Sequence, residues 1–163
     1  MQQQIYKDAI SASIFKYISK ASQDLGIKSY VIGGFVRDYL LQRGNAKDVD
    51  VVAVGSGIEL AEKVAKLLPT QPKVQVFKTY GTAMLRYKDI EIEFVGARKE
   101  SYSEQSRNPE VEEGTLQDDQ NRRDFTINAL ALSLNTEDFG LLLDPFHGVA
   151  DLTSKTIRTP LDP

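Results

Sequence analysis

The chain has 163 residues, 41% hydrophobic and 26% charged, with a formal charge of −3 and no cysteine. That length suits one domain with its own core, and the lack of cysteine excludes disulfides, thiolate metal sites and a cysteine nucleophile. No apolar run is long enough to span a bilayer. Met1 to Asp8 lacks a secretory pattern, and the acidic balance argues against a long nucleic-acid footprint. These features agree with a cytoplasmic protein, and any nucleic-acid contact should be local or made by parts absent from this chain.

Ile14, Ile18, Ala21 and Leu25 recur at helical spacing, and Gly26 can close that helix. Ser29-Tyr30-Val31-Ile32 reads as a short strand running into Gly33-Gly34. A helix over 35–42 follows, ended by Gly44-Asn45, and then a strand over 49–54. Gly55-Ser56-Gly57 breaks that strand, and Ile58, Leu60, Ala61, Val64, Ala65 and Leu68 line one face of the next helix. Strands are expected at 74–77, 83–87 and 90–95, the last two turning at Lys88-Asp89. Residues 99–119 are polar, acidic and without periodicity, and read as a long surface loop. Residues 124–131 read as helical, 131–134 should pair with 141–144, and the tail from Asp151 has few apolar residues. This order predicts an α+β fold, a mixed, mostly antiparallel sheet with helices packed on one face.

Three stretches carry candidate chemistry. Asp48-Val49-Asp50 opens the apolar run Val51-Val52-Ala53-Val54. Side chains two apart on a strand share a face, so Asp48 and Asp50 present paired carboxylates. Such a pair repels itself unless a cation or proton compensates, and oxygen-only donors suit Mg²⁺ together with substrate phosphates. Glu93, which alternates with apolar neighbours, is a candidate third acid, whereas Glu91 reads as the wet face of its strand. Gly33 and Gly34 permit close backbone approach to a phosphate, and Arg37 can reach the same anion or pair with Asp38. Gly55-Ser56-Gly57 reads more simply as a cap and turn. The Arg122-Arg123 pair reads either as a solvated surface pair or, with Asp124 and Asn128, as a cation for phosphate oxygens beside polar groups for hydroxyls or base edges. His147 is the only histidine and reads as structural. No Gly-x-x-x-x-Gly-Lys-Ser/Thr or Gly-x-Gly-x-x-Gly sequence occurs. An aspartyl phosphatase is disfavoured because polar residues precede Asp48.

With these stretches in register, the chain resembles the class II tRNA nucleotidyltransferase and bacterial poly(A) polymerase family, within the DNA polymerase β-like nucleotidyltransferases. The likeness runs from about Ile27 to Thr159. It includes Gly33-Gly34-Phe35-Val36-Arg37-Asp38, Lys47-Asp48-Val49-Asp50 and Arg122-Arg123-Asp124-Phe125-Thr126-Ile127-Asn128-Ala129, together with Gly81-Thr82, Ala97-Arg98, Gly114-Thr115-Leu116 and Asp144-Pro145-Phe146-His147-Gly148. The resemblance implies a polymerase β-type palm forming a head domain over 1–159, with 160–163 starting a linker to a neck domain that this chain does not contain. It implies Asp48 and Asp50 as catalytic Mg²⁺ ligands, Glu93 as a further acidic ligand, and Gly33, Gly34 and Arg37 at the triphosphate. Asp124 would recognise the ribose, with Arg123 and Asn128 helping. The implied reaction moves nucleotides from ATP or CTP to the 3′ end of tRNA, adding CCA or only A. Base selection and most RNA contacts would belong to the further domains. A poly(A) polymerase of the same family and a noncatalytic nucleotide- or RNA-binding module are the rival readings.

Overall fold

A computed structural model describes residues 4–43, 47–101 and 110–161. After a short 3-10 turn at Lys7–Ile10, helix α1 (Ser13–Leu25) buries Ile14, Phe15, Ile18 and Ala21 along one stripe. Full burial of each larger side chain contributes roughly 1.5–3 kcal/mol. Gly26 closes α1 in the left-handed region at φ 69, its N–H bonded to the Gln23 carbonyl. Strand β1 (Lys28–Ile32) leads into α2 (Gly34–Leu40), then β2 (Asp48–Val54) and α3 (Gly57–Leu67). Helix α2 ends before 42, where Gln42 adopts φ 56; the expected stop at Gly44-Asn45 lies outside the described residues. Ser56 caps α3 by accepting the Glu59 N–H at 3.1 Å. A Cβ on Gly57 would lie 2.9 Å from the Gly96 nitrogen, so close packing and capping account for the glycine-serine-glycine turn.

Strands β3 (Gln75–Phe77), β4 (Thr82–Tyr87) and β5 (Ile90–Gly96) follow, with Lys88 at φ 56 in the β4–β5 turn. Two later strands, β8 (Ala131–Ser133) and β9 (Leu142–Leu143), complete a seven-stranded sheet in the order β3-β4-β5-β2-β1-β8-β9. Every neighbouring pair is antiparallel except β2 with β5. Val31, Val51, Ile92 and Phe94 project to one face, where α1, α2, α3 and the C-terminal helix α5 (Gly148–Ser154) bury them. The other face carries a smaller cluster, Ile32, Val52, Val95 and Ala131, partly covered by Leu116 of the short helix α4 (Leu116–Asn121).

Two expectations are corrected. The segment read as one long loop contains an antiparallel ribbon, β6 (Arg98–Ser101) with β7 (Glu110–Glu113), and then α4; residues 102–109 lie outside the described ones. A capping box rather than periodicity starts α4: Thr115 Oγ1 accepts the Asp118 N–H at 3.2 Å, and Asp118 Oδ2 accepts the Thr115 N–H at 2.9 Å. The helix expected over 124–131 shrinks to a 3-10 turn at Thr126–Asn128, because 131–133 is drawn into the sheet beside β1. Sheet pairing outweighs the weak local preference there. No described helix is long and apolar enough to cross a membrane.

Candidate active site

The parallel register of β2 and β5 sets Asp48 beside Glu91 and Asp50 beside Glu93. The alternation that buries Val49 and Val51 on the helix-covered face puts Asp48, Asp50, Glu91 and Glu93 on the less covered one. Asp50 is an exposed residue, yet burial of its carboxyl against the sheet is the largest influence on it and raises its pKa. The nearby Arg123 guanidinium opposes that rise and Asp48 adds to it. Burial likewise raises Glu93, with Asp50 and Glu91 reinforcing and Arg98 opposing. The carboxylates therefore crowd one another without full compensation. Among the described residues no three His, Cys, Asp or Glu side chains form a ready metal cluster. Glu91 has its own partner, Arg86, at 3.9 Å and two-fifths exposed, as expected for a wet sheet face.

Gly33 borders this acidic face. Its φ of 85 and ψ of −138 lie where only glycine is comfortable. A Cβ there would sit 3.8 Å from Arg123 Nη1, 3.8 Å from the Asn128 carbonyl oxygen and 3.9 Å from Asp50 Oδ2. One glycine thus adjoins a cation and a carbonyl from the 123–128 stretch and a carboxylate from β2. A Cβ on Gly34 would lie 3.3 Å from Arg37 Nη2.

A string of polar contacts joins α2 to the 126–128 turn. Arg37 Nε donates to Asp38 Oδ1 at 3.1 Å, and its Nη1 donates to Asn128 Oδ1 at 2.7 Å. Asn128 Nδ2 donates to Asp124 Oδ1 at 3.0 Å, which also accepts the Phe125 N–H at 2.8 Å. These bonds, that of Asn128 foremost, lower the Asp124 pKa. Arg37 therefore pairs with Asp38, as one of its two expected roles has it, and also bonds Asn128. Asp124 and Asn128 do meet, through an extended Phe125 and a single 3-10 turn instead of a regular helix.

The turn itself is clamped from behind. Thr126 Oγ1 donates to buried Asp151 Oδ2 at 2.6 Å, and the Thr126 N–H bonds the Arg158 carbonyl at 2.9 Å. Asp144 accepts the Gly148 and Val149 N–H groups at 2.6 and 3.0 Å, starting α5 where Gly148 presses on the Thr126 carbonyl. The Asp-Pro-Phe-His-Gly stretch is thus a scaffold, and His147 is an exposed residue at φ 57 on its border.

The Poly A polymerase head domain family matches residues 29–158, which include every residue of this constellation. The chain belongs to that family. An A-adding tRNA nucleotidyltransferase of Aquifex aeolicus (strain VF5) is 44% identical over 132 residues, 81% of this chain and 16% of that protein. The solved structure of a tRNA nucleotidyltransferase complexed with a primer tRNA and an incoming ATP analog is 40% identical with a TM-score of 0.76, over 88% of this chain and 39% of that one. Apo form II of a CCA-adding enzyme gives a TM-score of 0.85 at 35% identity, over 99% of this chain and 39% of that one. The head-domain chain therefore spans well under half the length of these relatives.

One member of the constellation escaped the sequence reading. Asp119 is fully buried and accepts from both Arg122 and Arg123. Its spacing of three and four residues from the two arginines is the signal that would have revealed it, once 116–121 is known to be helical.

Proposed function

We propose that this chain is the catalytic head of a tRNA nucleotidyltransferase that adds A, or CCA, to a tRNA 3′ end. The observation that carries the reading is the register that sets Asp50 beside Glu93, on the same face as Asp48 and against the Gly33 turn. The likeness to A-adding and CCA-adding enzymes supports it. In this reading residues 1–159 are the head and 160–163 begin a linker toward a neck domain. That agrees with the 39% of the tRNA-bound relative that the chain covers. The working compartment is the cytoplasm.

Nucleotidyltransferases of this kind generally use a divalent metal, and Mg²⁺ fits the donors here. They are carboxylate oxygens only, and burial first, then neighbouring carboxylates, raises the Asp50 and Glu93 pKa values. Asp48 and Asp50 would hold the ion, with Glu93 as a third oxygen donor. When bound, it neutralises charge on the α-phosphate and leaving group and makes the attacking hydroxyl more acidic.

The remaining residues bind and orient. Gly33 and Gly34 leave room for phosphate oxygens beside Asp50, and Arg37 and Arg123 supply positive charge around that room. Asp124, with its pKa lowered, stays ionised to accept a ribose hydroxyl, and Asn128 fixes both it and Arg37. The 3′-hydroxyl oxygen of the RNA bonds to the α-phosphorus as its proton passes to water, the bond to the bridging oxygen breaks, and pyrophosphate leaves. Such a transfer needs mainly alignment and charge neutralisation, so no histidine base is required.

The test uses the complete protein that carries this head, given tRNA lacking its terminal nucleotides, with the products sequenced. Asp48→Ala should abolish metal-dependent transfer while melting behaviour is retained; unchanged activity would refute the assignment. The family's own description keeps polyadenylation as a second reading. Long adenylate tails would identify it.

A further inference from the structure

Arg123 approaches the acidic face with only part of its guanidinium free. Its Nε and Nη2 both donate to Asp119 Oδ2, at 3.2 and 2.9 Å. Its Nη1 makes no hydrogen bond among the described residues, and is the atom 3.8 Å from a Cβ position on Gly33. The anchoring carboxylate has no exposed side-chain surface, whereas Arg123 keeps 19% of its own. The other Asp119 oxygen accepts Arg122 Nη2 at 2.9 Å, so a buried anion is matched by two guanidinium groups.

The support behind Asp119 is rigid in kind. Helix α4 starts from its capping box, and Gln120, buried beside Asp119, donates to the Ala129 and Leu143 carbonyls at 2.8 and 3.1 Å. These bonds tie α4 to β9 and to the end of the 126–128 turn.

We infer that Asp119 is a positioning residue: it grips one edge of the Arg123 guanidinium so that Nη1 faces the Gly33 turn and meets the nucleotide's phosphates. This rests on the reading of Arg123 as a phosphate-binding group. A guanidinium is planar, so fixing Nε and Nη2 fixes the direction of Nη1. An arginine with a full rotamer set would lose much more entropy on binding than one held in advance.

The experiment measures Mg²⁺-ATP and adenosine binding to the full-length protein by calorimetry for wild type, Asp119→Asn, Arg123→Ala, the double variant and Arg122→Ala. Loss of a charge-assisted phosphate contact weakens binding about 10- to 100-fold. Asp119→Asn and Arg123→Ala should each weaken ATP by such a factor and leave adenosine unchanged. Adding Asp119→Asn to Arg123→Ala should cost nothing further, and Arg122→Ala should bind like wild type. Asp119→Glu, which keeps the charge but displaces it by one methylene, serves if the amide variant does not fold, and should also weaken ATP selectively. Equal losses for ATP and adenosine, or additive losses in the double variant, overturn the inference by marking Asp119 as a general structural support. If Arg123→Ala is damaging while both Asp119 variants bind ATP normally, the inference fails and the function stands. If Arg123→Ala itself is silent, the phosphate role of Arg123 fails as well.

Discussion

Gly33→Ala separates backbone strain from obstruction of the candidate phosphate seat. At φ 85 and ψ −138 an alanine costs about 1–3 kcal/mol. For a chain of this size each kcal/mol lowers Tm by about 2–4 °C, so a fall of about 2–12 °C is expected. The added methyl would rest 3.8 Å from Arg123 Nη1 and 3.9 Å from Asp50 Oδ2, ordinary contacts that the free protein tolerates. It would nevertheless occupy the space between cation and carboxylate that the proposed function assigns to phosphate oxygens. Overpacking of about 1–3 kcal/mol corresponds to about 5- to 150-fold weaker binding. Gly26→Ala is the matched control. That residue has φ 69 with nothing within 4 Å of its Cβ position, so alanine costs about 1–2 kcal/mol at a place remote from the acidic face. Melting curves and calorimetric titration with Mg²⁺-ATP should show both variants destabilised and only Gly33→Ala impaired in binding. A folded Gly33→Ala protein that binds like wild type would remove the Gly33 turn from the nucleotide site.

Three further outcomes follow from the same geometry. The raised Asp50 pKa means that its ionised form is disfavoured in the fold; the associated stability is present at low pH and is lost as pH rises through the folded-state value. Asp50→Asn should therefore raise Tm of the metal-free chain at neutral pH, with the gain vanishing below the ordinary aspartate pKa of about 3.9; a lower Tm at pH 7 would contradict this. Mg²⁺ should stabilise wild type and not that variant. Asp124→Ala should narrow any preference for ATP over 2′-deoxyATP with little change in Tm, because Asp124 is exposed and linked to Asn128; an undiminished preference would remove it from the ribose. Gly148→Ala would set a Cβ 2.5 Å from the Thr126 carbonyl oxygen. Forcing that contact apart should destabilise by about 1–3 kcal/mol and weaken nucleotide binding by shifting the 126–128 turn. Unaltered denaturant midpoint and affinity would show that the clamp is not needed.

The features legible in the sequence are those encoded by neighbours within one element. Ile14, Ile18 and Ala21 announce α1, the apolar run after Asp50 announces β2, and two-residue alternation puts Asp48 and Asp50 on one face. Gly33 could be picked out because few other residues tolerate such a turn. The misreadings fell where distant partners decide. Phe125, Ile127 and Leu130 have spacing compatible with a helix, but Asp151 and the Arg158 carbonyl hold Thr126 while β1 captures Ala131. The acidic run before Arg122 lacks periodicity, so α4 could be read only from its cap.

By itself, then, the sequence determined the local units and the chemical kinds of group available: two carboxylates on a strand, a glycine turn, an arginine pair. Only the tertiary structure decided that Glu93 stands beside Asp50, because a parallel pairing between segments some forty residues apart depends on how the whole sheet closes. It also decided that buried Asp119 holds Arg123, since burial of a charge is a property of the packed molecule and not of the residues flanking it.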